Sequence, residues 1–377
     1  MYKLSSKNLN LMMEEIYTDL DVPLELKKEA ETKYLNLGEW LNQDSQSKFK
    51  SDSQLYIQGS TLLGTSVRPI KRGDEYDFDL VYKRNIKKDG ISQKDFKDQV
   101  GEQLTRYIQY LKDGGEKDIP FLIEGKRCWT LQYKGRFHID VLPALPDPEP
   151  EYLMDPEDGL IITDKELTQW QFSNPKGYHS WFKKSMRYAL TELRNSLAKS
   201  DGVEVEDVPQ HKTKTTLQKA IQILKRHRDS TYMGSKDDKP ISVIITTLAS
   251  HAYNNSDNLY VALTEIVKNM NNYIEDRDGV YWVENPINKK ENFADKWESN
   301  PKRAEEMFRW IESANKEFES YQNETNIDVI TESLEKSFRL DNATAITGKA
   351  KKREGLAVAA KAVEVKTDPW SHSGDSY

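Results

Sequence analysis

The sequence has little cysteine, no long apolar run and no excess of basic residues. Its one cysteine, Cys128, excludes an intrachain disulfide framework and every zinc site built from several cysteines. No run approaches the roughly 20 apolar residues that a membrane-spanning helix needs, and the N-terminus lacks the apolar stretch of a signal peptide. We therefore expect a cytoplasmic protein that does not act in a membrane.

The charge balance is acidic, with a formal net charge of −7. General affinity for duplex nucleic acid needs a basic surface that displaces counterions, so we do not expect it here. The composition, 37% hydrophobic and 31% charged, is typical of a globular chain and not of a disordered one. At 377 residues the chain is long enough for two lobes with a cleft between them.

Hydrophobic periodicity predicts a mixed first part and a mainly helical second part. In the first part it predicts helices at 4–20, 23–40, 59–65 and 92–111, and strands at 53–58, 76–83, 121–123, 128–133 and 137–142. In the second part it predicts helices at 178–197, 215–229, 241–253, 259–274, 301–321 and 326–338.

A proline-punctuated segment, ALPDPEP at 144–150, is predicted to separate the two parts, because it should continue neither a strand nor a helix. We therefore predict a first lobe with N-terminal helices at 1–150, a helical second lobe at 151–340 and a C-terminal extension at 341–377.

Three carboxylates carry the strongest chemical signal. Asp77 and Asp79 stand two residues apart on a predicted strand, so their side chains share one face, about 7 Å apart along the chain. Asp140 falls in another apolar run, where a carboxylate without a partner or a metal would be costly. Such oxygen ligands suit Mg²⁺, or Mn²⁺ in its place, and two ions held in this way activate an attacking hydroxyl and stabilise a leaving pyrophosphate. The predicted reaction class is nucleotidyl transfer.

The tripeptide Gln58-Gly59-Ser60 precedes the first acid by sixteen residues and predicts a phosphate-binding turn. Gly59 lets the backbone approach a phosphate, the Ser60 hydroxyl and free N–H groups of a helix N-terminus can bind it, and Gln58 can orient the same group. Taken alone, the pair Gly-Ser is more often an ordinary turn, and an isolated Asp-x-Asp is more often solvated surface. Their order and spacing together with Asp140 favour the functional interpretation.

These motifs resemble those of a known family. The segments YIQGSTLLGT at 56–65 and HIDVLP at 138–143, together with the Asp-x-Asp, resemble the polymerase-β-type nucleotidyltransferase core. Further motifs are similar to those of bacterial cGAS/DncV-like nucleotidyltransferases (CD-NTases), at 173–182, 217–229, 239–248 and 285–297. The resemblance covers residues 50 to 315.

The resemblance implies an α+β fold: a polymerase-β-like nucleotidyltransferase palm, made of a mixed sheet with helices, plus a mainly helical second lobe, with the active site in the cleft between them. It also implies a synthase of the CBASS anti-phage systems, which joins nucleoside triphosphates, ATP among them, into a cyclic di- or trinucleotide second messenger. A downstream effector protein would respond to the product. The alternative is a template-independent nucleotidyltransferase that acts on an RNA, protein or small-molecule acceptor.

Residue roles carry over from the family's motifs. Asp77, Asp79 and Asp140 would bind Mg²⁺, with Asp140 nearest the attacking hydroxyl. The residues implied to hold the donor triphosphate are Ser60, Lys225 and Ser242.

The residues by themselves also allow purely structural roles for the two second-lobe positions. Lys225 could belong only to a charged helix face, and Ser242 is a candidate helix N-cap. His138, two residues before Asp140, is interpreted as a hydrogen-bonded packing residue.

Overall fold

The computed structural model describes residues 3–44, 53–71, 73–149, 158–164, 166–187, 189–191, 214–234 and 237–365. Over these ranges the chain has the predicted α+β architecture of two lobes. None of the helices in the described ranges combines the length and the apolar character that a membrane crossing requires.

The first lobe is built on a mixed sheet. Its strands are β1 (Ser53–Ile57), β2 (Tyr76–Arg84), β3 (Phe121–Glu124), β4 (Trp129–Tyr133), β5 (Phe137–Pro146), β6 (Leu160–Ile162) and β7 (Gln171–Ser173). The main path runs β1-β2-β5-β4-β3, with β6 paired to the end of β5 and β7 paired to β6. The two strands that carry the predicted acids, β2 and β5, are adjacent and parallel, in a register that pairs Asp79 with Asp140.

One face of this sheet is covered by helices. The helices in this part of the chain are α1 (Ser6–Leu20), α2 (Leu24–Gln43), α3 (Gly59–Leu63) and α4 (Gln93–Asp113). Side chains of α2 and α4, such as Leu37 and Phe96, share a core with Phe78 and Leu80 of β2 and Val141 of β5. The burial of these apolar side chains holds the two helices against the sheet.

The opposite face of the sheet carries the acids. Because side chains alternate along a strand, Asp77, Asp79 and Val81 point away from the face on which Phe78 and Leu80 pack. Val81 is fully buried in a small apolar cluster with residues of β5 and β6, among them Leu142. The carboxylates therefore lie on β2 and β5 just before residues, Val81 and Leu142, that are packed in an apolar cluster.

The prediction that segment 144–150 cannot continue a strand was wrong for its first residues. Strand β5 runs on to Pro146 and pairs with β6 through Ala144, Leu145 and Pro146. Pro143 lies between the last pair of β5 with β4, at Val141, and the first pair with β6, at Ala144. A missing N–H is tolerated at such a junction and at the end of a strand, so these prolines do not end the strand early. Pro150, the last residue of the predicted boundary segment, lies outside the described ranges.

The second lobe is mainly helical. It contains α5 (Pro175–Ser185), α6 (Thr216–Thr231), α7 (Ser242–Ala252), α8 (Leu259–Asn269), α9 (Lys296–Ser299), α10 (Lys302–Asn323), α11 (Ile327–Phe338) and α12 (Ala343–Val365). Two β-hairpins that the periodicity did not predict join α8 to α9, and their strands are β8 (Glu275–Arg277), β9 (Val280–Trp282), β10 (Glu284–Asn285) and β11 (Asn288–Asn292).

Both ends of the described chain pack into this helical lobe. Leu9, Met12 and Ile16 of α1 lie in its apolar core, as does Ile346 of α12. Thus α1, which the sequence groups with the sheet lobe, packs with the helices, and the predicted extension begins as a docked helix. The division at residues 150 and 340 stays a prediction.

A buried polar network fixes α6 from the side facing α10. The indole N–H of Trp310 donates to Nδ1 of His227 at 2.9 Å, so the other ring nitrogen carries the hydrogen and donates to Glu317 at 3.0 Å. Burial opposes ionisation of Glu317, but hydrogen bonds from His227, Tyr321 and Ser337 outweigh it and hold the pKa of Glu317 below its usual range. The helix that carries Lys225 is therefore rigidly seated.

Candidate active site

The turn at Gly59 brings the start of α3 against the acids. Gly59 has a φ of +59°, and the backbone N–H of Gln58 donates to the Asp79 carbonyl at 2.9 Å. A Cβ atom on residue 59 would lie 2.6 Å from Oδ2 of Asp79, closer than real Cβ atoms come to an oxygen. Glycine is therefore required here both for the left-handed backbone and for the close approach of the turn to the carboxylate.

The three predicted acids lie together at one end of β2 and β5. Ligand atoms of Asp77, His138 and Asp140 all lie within 4.8 Å of one another, and Asp79 is the register partner of Asp140. Nε2 of His138 lies 3.3 Å from Oδ1 of Asp77. The hydroxyl of Thr130, on β4, donates to Oδ1 of Asp140 at 2.5 Å and fixes that carboxylate from behind.

The electrostatics of this cluster favour a cation. Burial, followed by the charges of Asp77 and Asp140, raises the pKa of Asp79 well above its usual range. The hydrogen bond to Asp77 and the surrounding carboxylates raise the pKa of His138. Crowded carboxylates that resist ionisation are stabilised in their charged form by a bound cation. Three carboxylates are an oxygen-rich donor set of the kind Mg²⁺ takes, so the residues present fit that ion.

The half-buried Cys128 lies beside this cluster. Its sulfur is 3.8 Å from Oδ2 of Asp140. Burial and the Asp140 charge raise the pKa of Cys128 to about 12, so its sulfur is a thiol at neutral pH and not a metal-binding thiolate.

A pocket of about 210 Å³ opens in front of the acids and is lined by both lobes. From the predicted site it includes Ser60 and Asp77 of the first lobe and Lys225 and Ser242 of the second. The other predicted residues adjoin it without forming its lining: Gln58, Gly59, Asp79 and Asp140. The structure thus brings together, at one cleft, residues that are up to 182 positions apart in the chain.

Lys225 reaches across from α6 to the first lobe. Its Nζ donates to the carbonyl of Thr65 at 3.2 Å and to the Thr65 hydroxyl at 3.0 Å. Burial, followed by the nearby Arg228 guanidinium, lowers the pKa of Lys225 to about 7. The alternative that Lys225 belongs only to a charged, solvated helix face is excluded, because only 5% of the residue is exposed.

Ser242 is not the helix N-cap for which the sequence made it a candidate. The N-cap of α7 is Ile241, and Ser242 is the first helical residue, so Ser242 does not cap the helix. Its Oγ instead accepts a hydrogen bond from Nη1 of Arg228 at 2.9 Å. The residue is exposed and lines the pocket.

Sequence reasoning missed a set of contacts that we name the α6 latch: side-chain donors of α6 that bind main-chain carbonyls at the end of α3 and in the segment that follows it. Gln218 donates to Leu63 at 2.9 Å. The remaining bonds run from Gln222 to the carbonyl of Ser66, from Lys225 to that of Thr65 and from Arg226 to that of Arg68.

The latch fixes one wall of the pocket, since Thr65 and Ser66 line it and Oγ of Ser66 lies 3.0 Å from Oγ of Ser60. The sequence contains only a non-specific signal for it. Positions 218, 222, 225 and 226 are polar and share one face of α6, but polar residues such as His227 and Arg228 lie on its other faces.

A sequence profile of the Second Messenger Oligonucleotide or Dinucleotide Synthetase domain matches residues 9–185. The matched range contains the Gly59 turn and the whole acid cluster. It ends at the last residue of α5, so it includes the sheet lobe and the helix that follows it.

Similar proteins span nearly the whole chain. A c-di-GMP synthase of Roseivirga ehrenbergii is 26% identical over 375 residues, covering 96% of this chain and 95% of that protein. The structure of CdnG from Bradyrhizobium diazoefficiens in complex with GTP matches with a TM-score of 0.68 and 21% identity, covering 92% of this chain and 99% of the other. The GTP-bound form of Vibrio cholerae DncV matches with a TM-score of 0.53 and 16% identity, covering 78% and 70%. The structural likeness shows a shared fold that includes both lobes.

Proposed function

We propose that this chain, as a member of the cGAS/DncV-like nucleotidyltransferase (CD-NTase) family, joins nucleoside triphosphates into a cyclic di- or trinucleotide. The observation that carries the proposal is the shared pocket. It sets Asp77, a member of the sheet lobe's carboxylate cluster, opposite a lysine and a serine of the helical lobe, which is the arrangement that a metal-bound triphosphate requires.

Each round of the proposed reaction forms one phosphodiester bond. A ribose hydroxyl of one nucleotide attacks the α-phosphate of another, the bond from that phosphate to the β-phosphate breaks, and pyrophosphate leaves. For a dinucleotide, a second round within the linear intermediate closes the ring.

The sheet lobe would hold the reacting centre. Asp77, Asp79 and Asp140 would bind Mg²⁺, or Mn²⁺ in its place, and Asp140 would lie nearest the attacking hydroxyl. When bound there, the two ions would polarise the α-phosphate, lower the pKa of the attacking hydroxyl and stabilise the leaving pyrophosphate.

The remaining residues would hold the donor triphosphate. The Ser60 and Ser242 hydroxyls would donate to phosphate oxygens, and Lys225 would supply a compact positive charge within the pocket. Lys225 already uses two donor positions on Thr65, which leaves its third N–H for a phosphate. Held in this way, the α-phosphate is presented to the acceptor in a fixed orientation, which is where positioning lowers the barrier.

We further propose, on the family membership alone, that the product is a second messenger of anti-phage defence and that an effector protein responds to it. ATP and GTP are the proposed substrates. GTP is the first to test, because the name of the Roseivirga relative specifies c-di-GMP.

The chemical identity of the product tests the proposed reaction. Purified protein is incubated with Mg²⁺ and the four labelled nucleoside triphosphates, singly and together, then treated with phosphatase, and resistant products are identified by mass spectrometry. We expect a phosphatase-resistant cyclic product and pyrophosphate, and neither with the Asp77→Asn, Asp79→Asn double variant. Triphosphate consumption that needs an added RNA, protein or small-molecule acceptor would instead support the template-independent transferase.

A further inference from the structure

Arg228 is a pocket residue to which the proposed reaction assigns no role. It lies on α6, three residues after Lys225, and is 5% exposed. Its guanidinium is held as a fork. Nε and Nη2 both bind Oδ1 of Asp229, at 2.9 and 2.8 Å, while Nη1 donates to the Pro240 carbonyl at 3.1 Å and to Oγ of Ser242 at 2.9 Å.

The chemistry of the guanidinium fixes the direction of the hydrogen bond between Arg228 and Ser242. A guanidinium has N–H groups and no acceptor, so Oγ of Ser242 must be the acceptor. The hydroxyl hydrogen of Ser242 is then directed away from Arg228. Since Ser242 is exposed and lines the pocket, that hydrogen is available to an oxygen atom inside the pocket.

The same fork also fixes where Ser242 stands. The bond to the Pro240 carbonyl ties the backbone two residues before Ser242 to α6, and Asp229 prevents the guanidinium from turning. Asp229 is itself bound by Nζ of Lys239 at 2.8 Å. Asp229, the Pro240 carbonyl and Ser242 therefore take four of the five guanidinium N–H groups, and the pocket-facing donor that this group controls is the Ser242 hydroxyl.

We propose that Arg228 is a positioning residue for the donor triphosphate: it locks Ser242 as an acceptor on one side, so that the Ser242 hydroxyl donates to a phosphate oxygen on the other. This inference rests on the proposed function. It predicts that Arg228 acts on nucleotide affinity through Ser242 and not by its own contact with the phosphates.

A double-mutant cycle separates these two modes. The probe is a nucleoside triphosphate analogue with a methylene bridge between the α- and β-phosphates, and its Kd is measured by calorimetry for wild type, Arg228→Met, Ser242→Ala and the double variant. We expect each single change to weaken binding about tenfold, as for a lost hydrogen bond to a charged group, and the double variant to bind no more weakly than either single variant. Effects that multiply to about a hundredfold would overturn the proposal.

Lys214→Met is the matched control for charge. It removes one positive charge that acts on Lys225, but Lys214 pairs with Asp21, outside the Arg228 fork, so its effect should be the same size in the wild-type background and in the Ser242→Ala background. If Arg228→Met does not fold, the cycle is repeated with Arg228→Lys, which keeps the charge but loses the planar fork. The same non-additivity is expected, and additivity would again overturn the proposal.

The failure of this inference and the failure of the proposed function are distinguishable. Wild-type protein that binds the analogue, with effects of Arg228 and Ser242 that multiply, overturns the positioning role alone. Wild-type protein that neither binds the analogue nor forms a cyclic product overturns the proposed function and this inference with it.

Discussion

Two groups of residues face each other across the cleft, the acidic wall (Asp77, Asp79 and Asp140) and the basic wall (Lys225 and Ser242), and they are positioned by different means. In the sheet lobe, strand alternation and the register of β2 with β5 place Asp77, Asp79 and Asp140, so backbone hydrogen bonds set the geometry. In the helical lobe, Lys225 and Ser242 owe their positions to side-chain bonds with Thr65 and Arg228. We therefore expect conservative substitutions in the acidic wall to change its chemistry but not its position. In the basic wall we expect them to displace the side chains.

The walls also differ in charge, in a complementary way. Burial and like charges raise the pKa of Asp79 in the acidic wall, while burial and Arg228 lower the pKa of Lys225 in the basic wall. Each group is thus pushed towards its neutral form by its own side of the cleft. A metal-bound triphosphate offers a cation to the first wall and an anion to the second, and would restore both charges.

Removal of charge from the acidic wall should have the largest effect. The Asp77→Asn, Asp79→Asn variant is expected to lose at least about a thousandfold in the rate of product formation, because preorganised charge at the reacting centre is removed at almost constant volume. Its thermal unfolding midpoint should be no lower than that of wild type, since repulsion between carboxylates is relieved. Synthesis at the wild-type rate would refute the assignment of these residues to the metal site.

A change in the position of the acidic wall should come next. In Gly59→Ala, the added Cβ meets Asp79, and displacement of that carboxylate by a fraction of an ångström is expected to cost about a hundredfold in activity. Gly115→Ala is the matched control, since Gly115 also has positive φ, at +72°, but has nothing within 4 Å of its would-be Cβ. Both variants incur about 1 kcal/mol of backbone strain, so equal activities would show that contact with Asp79 is unimportant.

Loss of one bond of the α6 latch should have an intermediate effect. Gln222 is fully buried and donates to the Ser66 carbonyl, so Gln222→Leu leaves that oxygen unpaired at a cost of about 1–3 kcal/mol in the free energy of unfolding. We expect affinity for the triphosphate analogue to fall about tenfold, because the pocket lining at Ser66 loses the hydrogen bond that holds it in place.

The control for the latch is Lys219→Met, on the same helix. Lys219 pairs with Glu14, away from the latch, and removing the pair should cost less than about 1 kcal/mol. Equal losses of nucleotide affinity in the two variants would contradict a specific role for the latch.

The smallest predicted effect is a pH dependence of nucleotide affinity. With the pKa of Lys225 near 7, the amine is charged below that pH and must take up a proton to bind a triphosphate above it, so affinity should fall about fivefold from pH 7 to pH 8. Arg228, Asp229, Lys214 and Asp79 are the charged groups that act on it. Lys225→Arg keeps its charge throughout and should remove this part of the pH dependence; an unchanged profile would place the titration elsewhere.

The sequence predicts the acidic wall well for a local reason. A spacing of two on a strand fixes the shared face of Asp77 and Asp79, and the apolar run around Asp140 marks a strand that must be buried beside them. The prolines of segment 144–150 misled the prediction of the strand end, because whether a proline is tolerated depends on the hydrogen-bond pattern of neighbouring strands, which one strand's sequence does not contain.

The basic wall was predicted less completely because it depends on contacts between lobes. Lys225 and Ser242 came from family motifs, whereas Gln218, Gln222 and Arg228 gave no signal that distinguishes a surface residue from one that binds another lobe. Which carbonyls they reach is decided by how α6 packs over segment 63–68. That information lies in the tertiary fold.

The most direct test is a crystal structure with Mn²⁺ and the methylene-bridged triphosphate analogue, in which anomalous scattering locates the metal. We expect metal bound to Asp77, Asp79 and Asp140 in the same pocket as the triphosphate, whose oxygens contact Ser60, Lys225 and Ser242. A triphosphate bound outside this pocket, or metal that avoids the three carboxylates, would contradict this expectation.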